Sequence, residues 1–113
     1  MLRLAANTRV FVSTDPTDMR KSFDGLYALT KTVLEQDPLS GHLFVFVNRK
    51  RDYAKILYFE RGGLCLWAKR LEQGQFAKLS GGHGVATLSD TQLMMWLDGI
   101  GLEQRKQLKR FAP

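Results

Sequence analysis

Leu43-Phe44-Val45-Phe46-Val47, Lys55-Ile56-Leu57-Tyr58-Phe59 and Leu64-Cys65-Leu66-Trp67-Ala68-Lys69 are three short apolar, aromatic-rich runs. Segments of this length and composition, bounded by turn residues, read as β-strands. Asn48 to Tyr53 is a short polar connection and Glu60 to Gly63 a glycine-containing one. Such links favour sequential antiparallel pairing, so the centre of the chain is expected to be a meander. Ile56 and Tyr58 alternate with Leu57 and Phe59, which puts apolar side chains on both faces of the sheet. Each face therefore needs a cover.

Working toward the N-terminus, Val10-Phe11-Val12 predicts a first strand over Arg9 to Ser13. Asp15, Pro16 and Asp18 then form a helix-start pattern, a capping acceptor followed by proline and negative charge. Met19, Phe23, Leu26, Tyr27, Thr30, Val33 and Leu34 recur at helical spacing, predicting one long helix to about Gln36 that Asp37-Pro38 stops. Gly25 inside it suggests close approach of another element, the alternative being a tolerated defect. Toward the C-terminus, Phe76 to Leu79 and Val85 to Leu88 read as further short strands around an irregular stretch. Ser89 caps a helix whose buried stripe is Leu93, Trp96, Leu97 and Ile100 and which ends near Gly99 or Gly101. The expected class is α+β, with an antiparallel meander of about four to six strands, a long N-terminal helix and a shorter C-terminal one. Residues 1–102 would form that domain, and 103–113 a basic tail or short helix.

The 113 residues, 44% hydrophobic and 25% charged, suit one globular domain and exclude a multidomain enzyme. Cys65 stands alone, so no intrachain disulfide forms and a reducing compartment is expected. Met1 to Val12, with charges at Arg3 and Arg9, lacks the apolar run of a signal peptide, and no stretch is long enough to span a membrane. A cytoplasmic location follows as an expectation. Seventeen Lys and Arg against eleven Asp and Glu give a net charge of +6. That excess favours a polyanionic partner such as nucleic acid without identifying it.

The charge is unevenly distributed. Arg49, Lys50 and Arg51, followed by Lys55, place four cations on or beside a tight turn, where they could meet phosphates or merely solvate the hairpin. Lys69 and Arg70, with Arg61, add charge near strand ends and would join that patch only if the fold gathers them. Arg20 and Lys21 occupy the start of the expected helix, where cations oppose its dipole. They either face a partner or pair with Asp18 or Asp24. Arg105, Lys106, Lys109 and Arg110 would share one helical sector, as a nucleic-acid arm or a solvated tail.

Signs of catalysis are sparse. Asp15, Asp18 and Asp24 do not share a helical face, so they make a poor two-metal set. His42, His83 and Cys65 lack zinc-ligand spacing, and Ser80-Gly81-Gly82-His83-Gly84 lacks the lysine and hydroxyl ending of a phosphate loop. No catalytic residue, metal or cofactor is assigned. Phe44, Phe46, Tyr58, Phe59 and Trp67 read as sheet core rather than as a base-stacking platform.

Several segments carry a family pattern. Pro16 through Leu26, Leu43 through Phe46, Asn48 through Asp52, Lys55 through Tyr58, Cys65-Leu66-Trp67, Lys69 through Glu72, and Gly74 with Phe76 closely resemble the accessory transposition proteins of the insertion sequence 66 family. These are second open-reading-frame products. Leu88 to Ile100 resembles that family's closing helix, while Ala54, Phe59 and Ala68 depart from the pattern. The resemblance implies a bacterial mobile-element protein encoded beside a separate transposase, with no catalytic residues to carry over. It makes Asp18, Arg20, Lys21, Arg49, Arg51, Lys55, Lys69 and Arg70 candidates for contact with DNA or with the transposase. The leading expectation is a non-enzymatic accessory protein that bridges the two. A protein-interaction module that never touches DNA and a metal-dependent nuclease are the rivals, and self-association is left open.

Overall fold

The computed structural model describes residues 5–99. Five strands form one sheet: β1 (Val10–Ser13), β2 (Leu43–Val47), β3 (Tyr53–Glu60), β4 (Gly63–Arg70) and β5 (Val85–Leu88). Helix α1 (Phe23–Thr32) lies between β1 and β2, and α2 (Asp90–Leu97) follows β5. The spatial order is β4-β3-β2-β1-β5. Strands β2, β3 and β4 make the expected antiparallel meander.

The meander does not extend to β1. Val10, Phe11 and Val12 run parallel to Leu43, Phe44 and Val45, whereas β5 closes the far edge antiparallel to β1. A helix between two strands returns the chain to the end where the first strand began, so β1-α1-β2 is a crossover unit. Sequential antiparallel pairing is therefore corrected at that step.

Helix α1 is also shorter than expected, at ten residues. Asp15 and Pro16 do not start it. The Thr17 N–H instead donates to the Val47 carbonyl at 2.8 Å, which ties this segment to the end of β2. The Asp18 carboxylate accepts from the Arg20 N–H at 2.9 Å, making a local turn, and helix begins only after Ser22. At the other end the Gln36 N–H reaches back to the Thr30 carbonyl at 3.0 Å while Glu35 adopts a φ of +54°. That left-handed closure ends the helix before Asp37-Pro38 can. At Gly25, a side chain would meet the Lys21 methylenes at 3.1 Å, so the close neighbour comes from the same segment.

The sheet is packed on both faces. Phe11, Phe44, Phe46 and Leu57 point to one side and bury Leu26 and Leu34 from the α1 region. Val10, Val12, Val45, Val47 and Ile56 point to the other, against Phe76 and against Leu93, Trp96 and Leu97 of α2. Phe44 and Phe46 are fully buried, in keeping with their reading as core. Phe76 to Leu79 is not a strand. The Phe76 N–H donates to the Arg51 carbonyl, and Trp96 stacks on the Phe76 ring at 4.6 Å while donating from Nε1 to the Ala77 carbonyl. The segment is thereby a strap over the α2 face rather than a sheet edge. Helix α2 starts as expected, with Ser89 and Gln92 forming a reciprocal capping box. Gly99, at φ +78°, follows its end.

Candidate nucleic-acid interface

Strand register determines where the cations go. Val12 lies beside Val45 in parallel, Val47 faces Ala54, Tyr53 faces Arg70 and Ser13 faces Val85. The final residues of β1, β2 and β4 and the first residues of β3 and β5 therefore share one end of the sheet. With the exception of Arg61, the described candidates among the predicted basic residues belong to segments at that end: Arg20 and Lys21 after β1, Arg49 to Arg51 after β2, Lys55 early in β3, and Lys69 and Arg70 closing β4. Arg61 does not join them, because the β3–β4 turn lies at the opposite end. Arg105, Lys106, Lys109 and Arg110 lie outside the described residues.

The β2–β3 tip is built by Asn48. Its carboxamide oxygen accepts from the Asp52 and Tyr53 N–H groups at 3.0 and 3.1 Å, and its Nδ2 donates to Asp52 at 2.7 Å. The Arg51 N–H closes the turn onto the Asn48 carbonyl, with Arg51 itself at φ +57°. This arrangement leaves Arg49 and Lys50 exposed at the apex. Arg51 is half-buried and donates from Nε to the Phe76 carbonyl at 3.2 Å, so its guanidinium is held in place.

The rim has two sides. On the α1 side, Lys55 and Arg70 both lie against the Tyr53 ring, with the Arg70 guanidinium carbon 4.6 Å from its centroid. The Lys55 ammonium also donates to the Lys21 carbonyl at 2.9 Å. On the α2 side, Arg49, Arg51 and Lys78 line a cavity of about 440 Å³ between the ends of β1 and β2. Lys78 was not among the residues singled out in the sequence. It lies in an irregular stretch where spacing carries no signal, and only the strap places it here.

Two further candidates pair with carboxylates within the chain. Lys69 donates to the Leu97 carbonyl at 2.7 Å and is 3.8 Å from Asp98, so it neutralises the negative end of α2. Arg20 pairs with Asp18 through both Nε and Nη2, the shortest contact being 2.7 Å. These hydrogen bonds hold the Asp18 carboxyl at about 2, below its ordinary 3.8. The depressed value means that the pair's stabilising effect is complete above the ordinary carboxyl value and is lost as pH falls through about 2. At neutral pH the carboxylate offsets one rim cation. Asp18→Asn is expected to steepen the salt dependence of any duplex binding by up to about 0.9 in log–log slope and to raise affinity up to about 8-fold at roughly 0.1 M salt. An unchanged slope would place Arg20 outside the contact.

Among the described residues, no group of three His, Cys, Asp or Glu side chains is arranged to hold a metal ion. No helix among them is long and apolar enough to cross a membrane.

A family model described as IS66 Orf2 like protein matches residues 8–107. The chain belongs to the IS66 Orf2-like family. Two curated relatives come from Sinorhizobium fredii, both uncharacterized proteins. One, y4hO, is 39% identical over 100 residues, covering 88% of this chain and 87% of the relative. The other, y4jC, is 30% identical over 112 residues, covering 97% and 96%. No solved structure matches the chain. The IS66 Orf2-like assignment makes the chain an accessory protein of insertion-sequence transposition.

Proposed function

We propose that this chain is a non-enzymatic accessory protein that grips the element's DNA by the basic rim and brings the transposase to it, in the cytoplasm. The observation that carries the reading is the convergence of cationic segments from separate connections on one end of a rigid sheet. Phosphates sit at regular spacing along a duplex, so cations on several short connections can neutralise several of them at once. The apex residues Arg49 and Lys50 reach solvent, and the Tyr53 ring holds Arg70 and Lys55 on the same rim.

The test is titration of a labelled duplex at several salt concentrations. Neutralising about four or five phosphates gives a log–log slope near −4. Binding that ignores salt, or no binding, removes the rim as a DNA contact and favours the protein-interaction reading. Pull-down of the neighbouring transposase with and without DNA then separates bridging from direct protein contact. Metal-dependent cleavage of supercoiled DNA, abolished by Asp18 or Asp24 substitution, would overturn the non-enzymatic reading.

A further inference from the structure

The cavity on the α2 side of the rim has a composition that phosphate neutralisation alone does not explain. Its volume of about 440 Å³ lies within the range of small-ligand pockets, roughly 300–1,000 Å³. Arg49, Arg51 and Lys78 stand on its lining with the half-buried apolar residues Ala77 and Leu79. Asp15 also lines it, set against Gly84, where an added Cβ would come within 3.2 Å of the Asp15 carboxylate. The lining comes from four separate segments, and Arg51 is fixed toward the strap by its bond to the Phe76 carbonyl.

Each part suits a different portion of one ligand. Guanidinium and ammonium groups bind phosphate oxygens. An apolar floor accepts the flat face of a base. A carboxylate repels an acidic peptide side chain, but it accepts a hydrogen bond from an exocyclic amino group, as on cytosine. We propose that this cavity takes one unpaired nucleotide of the DNA strand that the rim holds, with the phosphate on the Arg49, Arg51 and Lys78 side and an amino-bearing base toward Asp15. This inference rests on the rim being a DNA surface. A base inside a duplex is stacked and cannot enter, so the site recognises single-stranded ends or extruded nucleotides.

The experiment compares a blunt duplex, the same duplex with a one-strand cytosine or thymine extension, cytosine being bound more tightly, and the same extension made abasic. The cytosine extension is expected to tighten binding about tenfold, and the abasic one to lose that gain. Thr14→Trp, which narrows the cavity and removes no rim cation, should abolish the gain while blunt-duplex affinity is kept. Asp15→Ala, at an exposed position, should make cytosine and thymine extensions equivalent, and this arm serves if Thr14→Trp fails to fold by circular dichroism. Equal affinity for blunt and extended duplexes, with salt dependence intact, overturns the nucleotide site and leaves the rim standing. A gain that survives the abasic extension also overturns it. Loss of all salt-dependent duplex binding overturns both.

Discussion

Replacing Arg49 and Lys50 together by alanine is expected to weaken duplex binding roughly 60-fold at about 0.1 M salt, if each cation contributes about 0.9 to the log–log slope. The slope itself should become shallower by about 1.8. Both residues are exposed at the hairpin apex, and among the described residues neither side chain makes a hydrogen bond or ion pair, so stability should not change. Arg51 is left in place because its Nε supports the strap. Arg61→Ala is the internal control. It removes one charge from the opposite end of the sheet, and only a localised contact predicts that it leaves the slope unchanged. Equal losses per charge from the two ends would mean that net charge acts diffusely and that the rim has no special part. The comparison is read by fluorescence anisotropy across a salt series.

Trp96→Ala should produce the largest loss of stability, about 3–5 kcal/mol. Trp96 is 2% exposed, stacks on Phe76 and donates its indole N–H to the Ala77 carbonyl. Removing it opens a cavity on the α2 face and unpins the strap at the same time. A domain of this size has roughly 5–15 kcal/mol of total stability, so the variant keeps only part of it. Thermal unfolding followed by circular dichroism should show a midpoint at least roughly 12 °C lower. Leu39→Ala, at a position 46% exposed, should stay within about 0.5 kcal/mol of the parent. A small effect at Trp96 would mean that the α2 face is not a packed interior and that the strap is held by other contacts.

How far these features could be read in the residues differs from element to element. The three central strands were legible because turn chemistry and composition agree: Asn48 and the Gly62-Gly63 pair punctuate uniformly apolar runs. Apolar side chains on both faces correctly demanded two covers, and α1 and α2 supply them. The α2 start was equally local, since Ser89 and Gln92 cap each other across one turn. The α1 start was not. Asp15-Pro16 has the residue types of a helix start, yet the Thr17 N–H is used by Val47, thirty positions away, and no local rule announces that bond. The parallel pairing of β1 did leave a signal. A helix between two strands implies a crossover, and the short turns that follow drew the expectation of antiparallel pairing one step too far.

The candidate site was legible as charge but not as shape. Arg49 to Arg51, Lys55 and Arg70 stand out in the sequence, whereas the engagement of Lys69 with the end of α2 depends on a contact that only folding creates. Lys78 and the role of Asp15 as cavity wall required knowing that residues 76–84 pass over the ends of β1 and β2.

The connections at the cationic end enter neither packed interior along most of their length, and Arg49, Lys50, Lys78 and Ser80 through His83 are all solvent-exposed. Exposed side chains there can be exchanged at little thermodynamic cost, because the connections are held by a few bonded or buried residues, Thr17, Asn48, Arg51 and Phe76 among them. Under the proposed DNA-gripping role, a mobile element acquires a preference for different termini by revising a few loop positions. On that reading recognition is a replaceable part mounted on a frame that stays the same.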